Sequence, residues 1–133
     1  MDWDADKKQV GQQSRVFWIG SSRKDLREFP KDVRVLFGQA LFDAQCGGKH
    51  PDAKPLKGFG GGVLEVVGQF EGDAYRAVYT VRFRGALYVL HAFQKKSKSG
   101  IGTPPHDIEV IRQRLQSAKE RYAQRFRDSP SSG

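Results

Sequence analysis

The sequence predicts an α+β fold: a small, mostly antiparallel sheet of about four strands, two helices before its main run of strands, and one long helix after it. Three observations predict it. Apolar residues recur at three- and four-residue spacing over 33–44, three strand-like segments over 63–93 are joined by short glycine turns, and a single apolar stripe runs along 108–126. A chain of 133 residues suits one compact domain, expected over 15–127, with 1–14 as a flexible arm and 128–133 as a disordered tail.

The elements follow in order. Val16-Phe17-Trp18-Ile19 is an apolar run that reads as a buried strand. Ser21-Ser22 offers an N-cap, with Asp25 three residues after Ser22 as in a capping box, and Leu26 and Phe29 share a face until Pro30. From Lys31, the residues Val33, Leu36, Phe37, Ala40, Leu41 and Ala44 form an amphipathic helix closed by Gly47-Gly48. Residues 48–62 are rich in glycine, proline and lysine and read as a loop, without the spacing of a phosphate-cradling P-loop. Strands are expected over 63–67, 75–83 and 86–93, as an antiparallel meander. Thr103 is the expected N-cap of the last helix, with Pro104 in its first turn and Ile108, Ile111, Leu115, Ala118, Tyr122 and Phe126 as its apolar stripe. With the helices on one sheet face, the other face is expected to be free as a working surface.

Charge narrows the partners. Lys+Arg 23 against Asp+Glu 15 gives a formal net charge of +8, which attracts polyanions, so nucleic acid or an acidic protein is the natural partner. Cys46 is the only cysteine, which rules out an intrachain disulfide and argues against a structural zinc site. No apolar run nears the ~20 residues that cross a bilayer, and the N-terminus lacks a signal-peptide core, so a cytoplasmic protein without a membrane partner is expected. No metal-ligand cluster, cofactor motif or Ser-His-Asp arrangement stands out.

The chemistry concentrates between Tyr75 and Lys98. Strand alternation groups Arg76 with Val78, Thr80 and Arg82, opposite a core-like face of Tyr75, Ala77, Tyr79 and Val81. A charge in an apolar strand needs a partner or an anionic ligand. Two readings follow: Arg76 pairs with Glu65 on the neighbouring strand, or it binds phosphate, and one glutamate can serve both by orienting the arginine. Lys95, Lys96 and Lys98 follow the last strand as a solvated edge or as phosphate ligands. With Lys54 and Lys57 from the glycine loop added to Lys95, Lys96 and Lys98, five cations can ring one patch near Arg76. RNA cleavage by an internal 2′-hydroxyl needs in-line positioning, stabilisation of phosphoryl charge and two proton transfers. His91 is an acid–base candidate whose alternation with Val89 and Phe93 favours a packed core histidine, while His50 and His106 sit alone. Phe59, Tyr88 and Phe93 suit either base stacking or the core.

Four segments carry a resemblance: L-K-G-F-G-G-G-V-L-E, Y-R-A-V-Y, Y-V-L-H-A-F-Q-K-K-S-K and T-P-P-H-D-I-E-V-I-R-Q-R-L. Together, over about Val16 to Leu115, the chain resembles the HigB/RelE-type toxins of type II toxin–antitoxin systems, in their phage-related branch of the RelE/ParE superfamily. The resemblance implies a RelE-like fold, a metal-independent mRNA endoribonuclease acting at the ribosome, and neutralisation by a cognate helix-turn-helix, HigA-like antitoxin. It implies catalytic roles for Arg76 and Lys96 on the phosphoryl group, with Lys95 and Glu65 at motif positions beside them. Lys54, Lys57, Arg82, Lys95, Lys96 and Lys98 would bind RNA. Val67 stands where many members carry arginine or lysine, and no tyrosine follows Lys96. The general acid and base are therefore unassigned, with Lys57, Lys95 and His91 as candidates in that order. The same resemblance leaves two alternatives, a non-enzymatic ParE-like toxin that poisons gyrase and a non-toxic nucleic-acid-binding relative.

Overall fold

A computed structural model describes residues 13–95 and 103–128, with side chains as far as Arg125. The expected arm before residue 13, the tail after 128, and Lys96 and Lys98 lie outside the described residues. The elements are β1 (Arg15–Trp18), α1 (Ser22–Arg27), α2 (Lys31–Gln45), β2 (Ala53–Pro55), β3 (Val63–Phe70), β4 (Asp73–Thr80), β5 (Ala86–Lys95) and α3 (Pro105–Asp128). They form an α+β fold around one five-stranded sheet of order β1-β5-β4-β3-β2. The β2–β3, β3–β4 and β4–β5 pairs are antiparallel, while β1 pairs in parallel with β5 from Arg15↔Ala86 to Trp18↔Val89.

The helices form where apolar spacing and local chemistry agree. In α2, Val33, Phe37, Ala40, Leu41 and Ala44 are buried, and they pack with Tyr75, Ala77, Tyr79, Leu87 and Val89 on one face of the sheet. Gly68 lets this helix approach, since a Cβ there would lie 3.0 Å from Leu36 Cδ2. Ser21 caps α1 differently from the expected box: its hydroxyl donates to Asp25 Oδ2 at 2.7 Å, while the Ser22 hydroxyl is buried and donates to the Val89 carbonyl at 3.1 Å. The α3 helix starts two residues after the expected Thr103 cap. The Ile108 amide donates to the Pro104 carbonyl, so Pro104 occupies the cap and Pro105 the first turn, where a missing N–H costs nothing.

Two expectations are corrected. The second sheet face is not free along its length, because Ile111, Leu115 and Ala118 of α3 pack there against Val63, Val78, Tyr88, Leu90 and Phe93. The loop over 48–62 also contains a short edge strand, β2, whose three residues pair Ala53↔Val66, Lys54↔Glu65 and Pro55↔Leu64. Proline at its end suits an edge.

One irregularity matters for function. The β4–β5 register shifts between Val78↔His91 and Tyr79↔Val89, so Leu90 is the extra residue of a β-bulge. Ahead of the bulge, Leu87 and Val89 face the N-terminal helices; beyond it, Phe93 faces the α3 side and Ala92 the other. Alternation therefore reverses within a single strand.

Candidate functional site

Arg76 is the centre of the site. It stands on β4 directly between Val67 of β3 and Phe93 of β5, on the sheet face that α3 shares. Its diagonal neighbours on that face are Glu65, His91 and Lys95, at a spacing of ~7–8 Å that long side chains bridge. Only the bulge brings Lys95 to this face. With strict alternation from Val89, Lys95 would point to the side of α1 and α2, away from Arg76.

The Arg76–Glu65 pair is realised. Arg76 Nη1 donates to Glu65 Oε2 at 2.5 Å, with the two side chains 13 % and 15 % exposed. A charge-assisted bond at such burial fixes the guanidinium plane, whereas an exposed pair would not. Arg76 Nε is buried without a protein partner, so the guanidinium retains donor capacity beyond its glutamate. Lys54 on β2 lies directly opposite Glu65, one strand further out and exposed. Lys95, at the end of β5, is 6 % exposed.

His91 is buried at 8 % exposure and stacks on Phe93, ring centroids 4.5 Å apart. Its Nε2 lies 2.7 Å from Asp107 Oδ1 in the first turn of α3, and its Nδ1 lies 3.5 Å from Arg114 Nη1. An arginine only donates, so Nδ1 accepts and Nε2–H donates to Asp107, the neutral tautomer. Burial lowers the His91 pKa below its ordinary 6.5, outweighing the opposing hydrogen bond and charge of Asp107. Both ring nitrogens are thus engaged within the fold. Arg114 also donates to the Leu90 carbonyl at 3.0 Å and to Ser21 Oγ at 3.2 Å, so it holds the bulge to the start of α1. Gly20, at φ +59, is required beside it, because a Cβ there would lie 2.8 Å from Arg114 Cζ.

The remaining expected residues lie apart. Arg82 follows the far end of β4, and its guanidinium donates to the Phe59 and Gly61 carbonyls, which shapes the glycine loop from below. Lys57 is exposed at the tip of that loop. Phe59, Tyr88 and Phe93 are all buried in the α3-side core, and Phe59 also carries Arg112 over its ring at 5.3 Å. Asp107 and Arg114 are the site neighbours that sequence reasoning missed. Their only signal was helical spacing, a face of α3 seven residues apart, and it says nothing about β5. Among the described residues no group of three or more His, Cys, Asp or Glu side chains converges, and no helix is long and apolar enough to cross a membrane.

The comparison with protein families spans Arg76, Glu65, Lys95, His91, Asp107 and Arg114. The family model described as "Phage derived protein Gp49-like (DUF891)" matches residues 24–116, from α1 into α3. No curated protein and no solved structure matches the chain. A match over well more than half of the chain, covering the Arg76–Glu65 pair and the strand that ends in Lys95, shows that this protein belongs to the phage-derived, Gp49-like family.

Proposed function

We propose that this chain is the toxin of a type II toxin–antitoxin pair and cleaves mRNA at the ribosome. The Gp49-like family is one of HigB/RelE-like toxins, which supports the toxin reading at its coarser level. The observation that carries the finer reading is Arg76, locked by Glu65 on a sheet face, with unspent donors and Lys95 as its diagonal neighbour.

The chemistry is transesterification. The RNA 2′-oxygen attacks the adjacent phosphorus, the bond to the 5′-oxygen breaks, and a 2′,3′-cyclic phosphate and a 5′-hydroxyl result. Negative charge grows on the non-bridging oxygens, where the Arg76 fork is suited to stabilise it, and Lys96, next in sequence after Lys95, is the second cation proposed for this role. Glu65 holds the fork in place and is a positioning residue. One proton leaves the 2′-hydroxyl and one reaches the 5′-oxygen. His91 spends both nitrogens on Asp107 and Arg114 and Lys57 lies apart on the glycine loop, so Lys95, the diagonal neighbour of Arg76, is the candidate carrier nearest the phosphate. The basic face would be capped by an acidic segment of a helix-turn-helix antitoxin, in the cytoplasm.

That engagement of His91 favours one second reading, a ParE-like toxin that poisons gyrase without cleaving RNA. One experiment separates them: induction without antitoxin, with mapping of mRNA 5′ ends. The nuclease reading expects new 5′-hydroxyl ends that disappear in Arg76→Ala, together with growth arrest. Arrest with intact mRNA and trapped gyrase–DNA adducts would overturn it.

A further inference from the structure

Most of the arginines at the core of the fold are spoken for. Arg76 is paired with Glu65, Arg82 and Arg34 with backbone carbonyls, Arg112 with Glu109, and Arg114 with Leu90 and Ser21. Six others are exposed and in no ion pair with a described carboxylate; Arg23 and Arg27 lie on α1, and the other four are Arg15, Arg84, Arg121 and Arg125. They come from three separate elements, yet they converge.

Arg15 of β1 and Arg125 of α3 both lie over the ring of Phe17, at 5.4 and 4.6 Å from its centroid. Their charges are therefore at most about 10 Å apart, close to the ~8 Å screening length of physiological salt, so they repel one another. Arg121 and Arg125 both act on the Tyr88 phenol: its pKa is raised by burial, and these two cations oppose the rise. Arg84, in the β4–β5 turn, is tied to the same place because its carbonyl accepts from Tyr122 Oη at 2.8 Å. Beneath the four lies an aromatic bed in which Phe17 stacks on Tyr88 and Phe83 contacts both Tyr88 and Tyr122. Phe17, Phe83 and Tyr122 are only partly buried.

We propose that Arg15, Arg84, Arg121 and Arg125 form a second nucleic-acid surface, which holds the sugar–phosphate backbone of single-stranded RNA. A cluster of like charges in no ion pair with a described carboxylate is relieved by a polyanion that releases its counterions. Planar guanidinium forks over accessible rings match phosphates flanked by unpaired bases, which favours RNA over an acidic polypeptide. The surface is distinct from the Arg76 face. Arg15 pairs with Ala86 at the start of β5 and Arg76 with Phe93 near its end, a separation of about 23 Å along the strand. It therefore acts as an anchor that neither needs nor supplies chemistry.

The test uses the full chain and a fluorescent 2′-O-methyl oligouridylate of about 15 nucleotides, which cannot be cleaved, titrated over a range of salt. Arg15→Ser/Arg125→Ser is expected to weaken binding about tenfold and to lower the slope of log K against log salt by about 1.4, two phosphates' worth. An oligomer of about 3 nucleotides is too short to span both surfaces and should show no loss at the Arg76 face. The Arg84→Ser/Arg121→Ser pair, at exposed positions outside the sheet, repeats the measurement should the first variant fail to fold. Unchanged affinity and slope in a folded variant would overturn the proposal. Equal competition by poly-aspartate of matched charge would overturn it in favour of an acidic protein. Either result is independent of whether Arg76→Ala abolishes cleavage.

Discussion

Tyr79 and Tyr88 are the largest fully buried side chains among the described residues, and the Tyr79 hydroxyl has no protein partner. Burial pushes the Tyr79 pKa up to about 12, and Asp43 adds to the rise. The folded state therefore holds the phenolic proton more tightly than the unfolded chain, whose value is 10.0. This contribution to stability is full below pH 10 and is lost as pH rises towards about 12. Tyr79→Phe should be at least as stable at pH 7, since it removes an unpaired buried hydroxyl, and should lose the steep part of its alkaline unfolding limb. Denaturant midpoints across that range decide it; a midpoint that falls just as steeply in the variant would refute the assignment. At this scale the sequence was only partly readable. Arg76 and Glu65 were legible because strand alternation places both on one face and an apolar strand leaves a charge few partners. The burial of His91 was legible, but its face and its partners were not. Its Asp107 partner is 16 residues away on another element, and a single extra residue reverses the alternation that assigned His91 to the face of Val89.

The α2 and α3 helices and the β3–β4–β5 meander follow from periodicity and glycine turns, and this is why they could be read in advance. The short β2 could not, because a three-residue strand made of alanine, lysine and proline has no period to detect and exists only by pairing with β3. The β3–β4 turn shows how local chemistry can oppose the fold it serves. Phe70 pairs with Asp73 across Glu71-Gly72, and both turn residues have positive φ, 51° and 86°. Such a mirror-image turn suits the sheet twist but prefers asparagine to glutamate at its first position. Glu71→Asn should therefore raise stability by roughly 0.5–1 kcal/mol without altering the Arg76 face. Thermal unfolding of the two proteins measures it, and a lowered midpoint would show that the turn is held by something other than its own backbone preference.

Across the whole molecule, the sheet is shared between two cores, one under α1 and α2 and one under α3, with β5 in both. Its composition and charge were readable from the start; the closure of the sheet was not, since nothing local marks β1 as the parallel neighbour of the last strand. That pairing joins Arg15 to Ala86, about 70 residues apart, and such a contact carries a loop-closure cost that helices and hairpins do not. A nascent chain makes β1 early, and at ~5–20 residues per second it waits roughly 4–14 s for its partner. Ribosome-held chains that stop before residue 86 should consequently leave β1 open to protease, and chains carrying β5 beyond the exit tunnel should protect it; protection in the shorter chains would contradict this. If the protein attacks messages at the ribosome, the topology withholds that activity during its own synthesis. The first strand becomes part of a finished sheet only after β5 has been translated and has left the ribosome.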